Sequence, residues 1–133
     1  MAVLVDSCVL LDVFTNDPQW NSWSVEALAD QIDRGDLVIN PVIYAEVSVR
    51  FVQLEELDAF LSPQVFRYRP IPREAAFLAG KCFLRYRRGG GTRTVPLPDF
   101  LIGAHAAVEK LTILTRDDTR FRTYFPTVRL ICP

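Results

Sequence analysis

Soft metal ligands are scarce in this chain: its 133 residues include one histidine and three cysteines, Cys8, Cys82 and Cys132, with no Cys-x-x-Cys pair. Neither a zinc site nor a disulfide framework has its ligands, and the thiols are expected to be buried. Long apolar runs are missing too. None approaches the roughly 20 residues that cross a bilayer, so no membrane partner is expected. The opening stretch MAVLVDSCVLLDVF is apolar, but it lacks a basic leader and meets acids at Asp6 and Asp12, which a secretory signal does not tolerate. The expectation is a mature cytoplasmic sequence. Nor does either sign of charge dominate: 15 Lys and Arg against 16 Asp and Glu give a net charge of −1. Such a chain has no global field for a polyanion, so a nucleic acid must be held by a local basic patch or by metal ions.

What is present is an apolar half, enough for a single domain over residues 1–133 that buries roughly two-thirds of its unfolded surface. Short apolar runs recur at 2–5 (AVLV), 37–39 (LVI), 111–114 (LTIL) and 128–131 (VRLI), with a weaker one at 65–68 (VFRY) between Pro63 and Pro70. Continuous runs, as opposed to strict alternation, suit strands of a parallel sheet covered on both faces. Between them lie helical patterns. Trp20, Trp23, Ala27 and Leu28 keep one face over 19–34 up to Gly35, and Asn40-Pro41 supplies an N-cap and first-turn pair for a helix carrying Glu46. Further helices are expected at 51–61, stopped by Pro63, and at 73–88, stopped by the glycines 89–91. A last one, at 98–109, follows Pro96 and Pro98, and its small residues Gly103, Ala104, Ala106 and Ala107 allow close packing on the sheet. The alternation predicts an α/β fold: a parallel sheet of four to five strands sandwiched between helices, Rossmann-like and three-layered.

Four of the sixteen acids fall where such a sheet builds its sites, at the carboxyl ends of its strands. Asp6 directly follows the first run, and Asp117 follows the run that ends at Leu114. Asp99 lies in the first turn of its helix, where the dipole favours an ionised carboxylate by about 0.3–1 kcal/mol. Glu46 has apolar helix neighbours, Val42, Ile43, Ala45 and Val47, and a carboxylate there needs a partner. Taken singly, Asp6 and Asp99 also read as plain helix-capping or first-turn residues. Taken together on one edge, the four would repel one another and be driven toward the neutral form unless a cation intervened. Oxygen-only ligands select Mg²⁺ or Mn²⁺. A centre of that kind binds and polarises a phosphodiester and activates a water, so hydrolysis needs no protein nucleophile.

The segments VLVDSCVLLD, NPVIYAEV, LPDFLIGAHA and ILTRDDTRF, in this order and in a chain this small, resemble the PIN-domain nucleases, most closely the toxin ribonucleases of bacterial VapBC toxin–antitoxin pairs. The similarity spans nearly the whole chain. The resemblance implies that Asp6, Glu46, Asp99 and Asp117 are the catalytic acids, with the metal on Asp6 and Asp99 and with Glu46 and Asp117 joining directly or through water. It also implies an Mg²⁺- or Mn²⁺-dependent endoribonuclease that cuts RNA, a cognate antitoxin protein that wraps the toxin, and a homodimer. Ser7, beside the first acid, and Thr115 are implied as supporting residues. Two departures stand out. Cys8 occupies a position where many relatives carry a small polar residue, and Asp118 beside Asp117 leaves the fourth acid ambiguous, the spacing from Thr115 favouring Asp117.

Arg85, Arg87, Arg88 and Arg93 surround the glycine run in RYRRGGGTRTVP. They read either as a solvated helix end that complements the dipole or as a basic loop that grips RNA phosphates. Arg116, between two motif residues, is placed to face substrate as well. His105 lies six residues after Asp99, roughly 120° around the helix from it, and is expected to be structural. Leu54, Leu57 and Phe60 are expected to form an apolar groove for a partner helix. Two rivals are weighed. A haloacid-dehalogenase-like phosphatase needs an Asp two residues after the first, where this chain has Cys8. A binding module that does not cut is the other: a receiver-like domain needs an acid on the third strand, which 64–69 lacks, and an inactive PIN-like scaffold would usually lack one of the four acids, all of which are present.

Overall fold

The short apolar runs fold as strands and the longer patterned stretches as helices, so that every connection within the sheet carries at least one helix. The computed structural model describes residues 2–91 and 97–133. Along the chain these are β1 (Ala2–Val5), α1 (Ser7–Phe14), α2 (Asn21–Arg34), β2 (Asp36–Ile39), α3 (Pro41–Ser48), α4 (Leu54–Phe60), β3 (Phe66–Tyr68), α5 (Arg73–Arg88), α6 (Leu97–Glu109), β4 (Thr112–Leu114), α7 (Thr119–Tyr124) and β5 (Leu130–Ile131). The strands form one sheet in the order β3-β2-β1-β4-β5, every neighbouring pair parallel. This is the five-stranded, helix-flanked α/β architecture that the alternation implies.

Consecutive residues of β1 and β2, Val3 to Val5 and Leu37 to Ile39, are all buried. Side chains alternate between the two faces of a strand, so burial without alternation means that helices cover both faces. Each such residue contributes about 1.5–3 kcal/mol relative to exposure, which explains how strands of three or four residues hold the centre of the molecule. From β1 the chain passes through α1 and α2 to β2 on one side, then returns through α5 and α6 to β4 on the other. The strand order therefore reverses between β1 and β4, and it is at such a switch point, beyond the carboxyl ends of the strands, that open parallel sheets leave a crevice.

Two helices are absent from the sequence pattern. In α1, Val9, Leu10 and Asp12 are all buried, so no polar face marks its period. Only six residues long and rich in threonine, α7 is too short to show periodicity. Where the helix starts were legible, the caps explain them. Asn40 accepts a hydrogen bond from the Ile43 N–H at 3.0 Å, with Pro41 at the first helical position. With its carbonyl oxygen so engaged, the Asn40 amide nitrogen faces His105 Nδ1 at 3.1 Å and donates to it. His105 is 0% exposed, and burial holds its pKa below the ordinary value. Its Nε2 lies 3.3 Å from Glu109 Oε1 without the alignment of a hydrogen bond. The residue thus clamps α6 to the start of α3. Farther along α6, a Cβ on Gly103 would lie 2.3 Å from the Phe125 ring, so only glycine permits this approach.

The expected apolar groove on α4 needs correction. Leu57 is buried in the core, and Phe60 packs tilted against Phe51 and edge-on against Phe14, at 5.7 and 5.3 Å between ring centres. What faces outward there is Leu54, with Val49 at 81% and Val52 at 93% exposure on the α3–α4 connection.

Candidate active site

The first carboxylate is fixed by the turn that ends β1. Asp6 adopts extended backbone geometry and caps α1, its Oδ1 accepting from the Ser7 N–H at 2.8 Å. The capping reading of Asp6 is thus what this oxygen shows. Its own N–H bonds the Leu114 carbonyl at 2.9 Å, which ties the turn to β4. Oδ2 accepts from Thr115 Oγ1 at 2.8 Å and, more weakly, from Cys8 Sγ at 3.5 Å. All of these donors are neutral. Burial dominates, and the carboxyl is pushed up to about 6, with nearby Asp99 adding to the effect and the Thr115 hydroxyl opposing it. Cys8 is itself pushed up to about 12 by burial and by Asp6, so its thiol stays protonated.

Glu46 reaches the same neighbourhood from α3. Ser7, at the start of α1, donates its hydroxyl to Glu46 Oε1 at 2.9 Å and so couples the two helices. Burial raises the Glu46 pKa, the Ser7 hydrogen bond counters it, and Asp6 and Asp99 raise it further. Asp99 stands in the first turn of α6, and Asp117 follows β4 with its N–H on Thr115 Oγ1 at 3.0 Å. Asp6, Asp99 and Asp117 line one cleft of about 380 Å³ at the switch point, with Tyr86, Thr119, Arg120, Thr123 and Tyr124 forming its other wall. Thr115 therefore touches both the first acid and the backbone of the fourth.

The remaining candidates are placed elsewhere or outside the described residues. Asp118 pairs with Arg122, which holds its carboxyl below the ordinary value, and it does not line the cleft. Of the two adjacent acids, Asp117 is the one in the cleft. Arg116 does not face open solvent as a substrate grip: it forks onto Asp12, with Nε to Oδ2 at 2.7 Å and Nη2 to Oδ1 at 3.0 Å, and lies over the Trp20 ring. Asp12 is 3% exposed, and a buried carboxylate needs this fork. Arg85 bonds the Thr123 carbonyl at 3.3 Å and covers the Tyr124 ring, next to the cleft. Arg87 and Arg88 are exposed at the end of α5. Arg93 lies outside the described residues.

Two residues escaped the sequence reading. Asp12 has the same signature as Glu46, an acid among apolar helix neighbours, and the same rule would have flagged its need for a partner. Arg120 lies three residues after Asp117, in the first turn of α7, and no local signal in the sequence ties it to an acid. Its Nη1 donates to Asp99 Oδ2 at 2.7 Å.

The donor set suits a hard ion: carboxylates and hydroxyls, with two carboxyls raised by burial and mutual repulsion. Among the described residues, no three His, Cys, Asp or Glu side chains stand close enough to enclose an ion unaided. Among the described residues, no helix is long and apolar enough to cross a membrane.

Comparison with known proteins agrees with this architecture. The sequence model of one family, described as PIN domain, matches residues 3–125. No curated protein matches the chain. Several solved structures share the fold. VapBC2 from Rickettsia felis, bound to a DNA fragment from its promoter, is 17% identical with a TM-score of 0.72, covering 100% of this chain and 99% of that one. VapBC-1 from nontypeable Haemophilus influenzae is 16% identical with a TM-score of 0.74, covering 99% and 98%. FitAcB from Neisseria gonorrhoeae is 20% identical with a TM-score of 0.66, covering 97% and 96%.

Proposed function

This chain belongs to the PIN domain family, and from that premise we propose that it is a Mg²⁺- or Mn²⁺-dependent endoribonuclease, the toxin of a toxin–antitoxin pair. The observation that carries the reading is the convergence of Asp6, Asp99 and Asp117 on one cleft, with Glu46 tied to it through Ser7. Asp6 and Asp99 would hold the ion, with Glu46 and Asp117 joining directly or through water. The bound ion would polarise a phosphodiester and lower the pKa of a water. The chain's own residues do the rest. Thr115 fixes the Asp6 carboxylate by donating to Oδ2, and Ser7 fixes that of Glu46. Glu46, held by Ser7 and raised by burial, would serve as the carboxylate that accepts a proton from the attacking water. Arg85 would bring positive charge to the rim beside Tyr124, and Arg87 and Arg88, exposed at the end of the same helix, would extend it for the phosphates of a single strand.

As for partners, the VapBC structures described above carry the name of a family of toxin–antitoxin systems. We extend that to a cognate antitoxin for this chain, with a homodimer of the toxin inside the complex and a cytoplasmic setting. The exposed apolar residues Val49, Val52 and Leu54 supply a surface for an amphipathic helix of the antitoxin. A second reading, a PIN-like module that binds without cutting, is favoured by one observation: Arg120 already neutralises Asp99. Incubating the purified chain with total RNA, with Mg²⁺ or with chelator, separates the two. Cleavage in Mg²⁺ alone, lost in Asp99→Asn, supports the nuclease; intact RNA in both, with RNA retained on the protein, supports the module.

A further inference from the structure

Of the described residues that line the acid cleft, Arg120 alone is cationic. Its guanidinium holds Asp99 Oδ2 at 2.7 Å, while its carbon lies 5.5 Å from the centre of the Tyr86 ring and 6.0 Å from that of Phe100. Building on the nuclease reading, we infer that Arg120 is a tethered, exchangeable counter-ion. It neutralises Asp99 while no metal is bound, yields that carboxylate to the divalent ion, and then turns to the phosphodiester the ion brings.

Three observations support exchange over a fixed structural pair. The Arg120 and Asp99 side chains are 29% and 36% exposed, so water screens the pair and it is weak. The molecule's fixed pair, Arg116 on Asp12, shows the contrast: its carboxylate is 3% exposed and gripped through both oxygens. Asp99, by comparison, gives Arg120 one oxygen. A doubly charged ion attracts that carboxylate twice as strongly as a guanidinium at equal distance. Finally, the guanidinium carbon already lies over the part-buried Tyr86 ring, a contact that does not depend on Asp99. Released there, it stays within the cleft that a phosphate must enter, and a guanidinium's fork of donors matches phosphate oxygens.

The test uses the full chain with Arg120→Gln and Arg120→Lys, whose melting temperatures are checked first. Mn²⁺ binding is read from water-proton relaxation without RNA. Binding of an uncleavable 2′-O-methyl oligonucleotide is read by fluorescence anisotropy in Ca²⁺. Exchange predicts that Arg120→Gln binds Mn²⁺ roughly tenfold more tightly than wild type, with Arg120→Lys between them. It also predicts that the same variant binds the oligonucleotide several-fold more weakly, with a salt dependence lower by about one phosphate contact. Mn²⁺ binding that is unchanged or weakened in Arg120→Gln overturns exchange, since the residue then only orients Asp99. Unchanged oligonucleotide affinity overturns the phosphate role. If wild type binds no Mn²⁺ and cuts no RNA, the nuclease reading itself fails and takes this inference with it. An active wild type with an indistinguishable Arg120→Gln sinks the inference alone.

Discussion

Asp6 and Asp12 stand six residues apart on one stretch of chain, both shut off from solvent at 6% and 3% exposure, and they meet opposite environments. Asp12 is gripped by the Arg116 fork and by Ser24 Oγ at 2.9 Å. Asp6 receives hydrogen bonds from neutral donors only, and the ionisable groups that raise its pKa and that of its neighbour Glu46 are other acids. Burial of an acid therefore does not by itself mark a site. What distinguishes the two is burial whose charge is left unanswered within the chain, which raises the carboxyl pKa and favours a proton or a cation supplied from outside.

The largest expected effect removes the unanswered charge. Asp6→Asn should reduce Mg²⁺-dependent cleavage of RNA by at least about a hundredfold while the circular-dichroism spectrum stays that of wild type. Cleavage within tenfold of wild type would place the reaction elsewhere.

Next comes the answered charge. Asp12→Ala leaves Arg116 without its partner, and breaking a buried pair costs about 3–5 kcal/mol. The partial exposure of Arg116 puts the expected loss at the lower end, about 3 kcal/mol, readable in urea denaturation. A loss under about 1 kcal/mol would show that the fork is ornamental.

A subtler contrast lies in pH. In metal-free protein the Asp6 carboxyl titrates near 6 in the fold and near 3.8 when unfolded. Its folded value is the higher, so its contribution is fully present below pH 3.8 and is lost as the pH rises through 6. Two units correspond to about 3 kcal/mol at most. Metal-free Asp6→Asn should thus gain on wild type between pH 4 and 7, and Mg²⁺ should raise the melting temperature of wild type but not of the variant. Parallel pH curves for the two proteins would contradict this.

The smallest effect belongs to His105. Burial lowers its folded pKa below 6.5, so the unfolded chain takes up a proton first as pH falls. Stability from this residue is present above pH 6.5 and declines below it, a slope that His105→Asn should flatten in melting curves between pH 5 and 7.

Much of this was legible in the sequence, for local reasons. Strands of parallel sheets read as continuous apolar runs because both faces are covered, and Asn40-Pro41, Pro63 and Gly89 act within one turn of themselves. The acids following β1 and β4 could be placed because strand ends are local too. What stayed hidden depends on partners distant in sequence. Nothing near Arg116 announces Asp12, 104 residues away, and nothing near Arg120 announces its bond to Asp99. Likewise, Leu57 and Leu54 look alike in a helical repeat until the fold decides which one faces the core.

One feature of the sheet bears on how the cleft comes into being. β1 sits at the centre, and its neighbour β2 follows soon after it, whereas Thr115 meets Asp6 across 109 residues. A nascent chain emerging from the ribosome therefore carries Asp6 and Glu46 long before Thr115 exists to steady the first of them or β4 to close the crevice. The order of synthesis puts off assembly of the cleft until β4 has emerged and paired with β1.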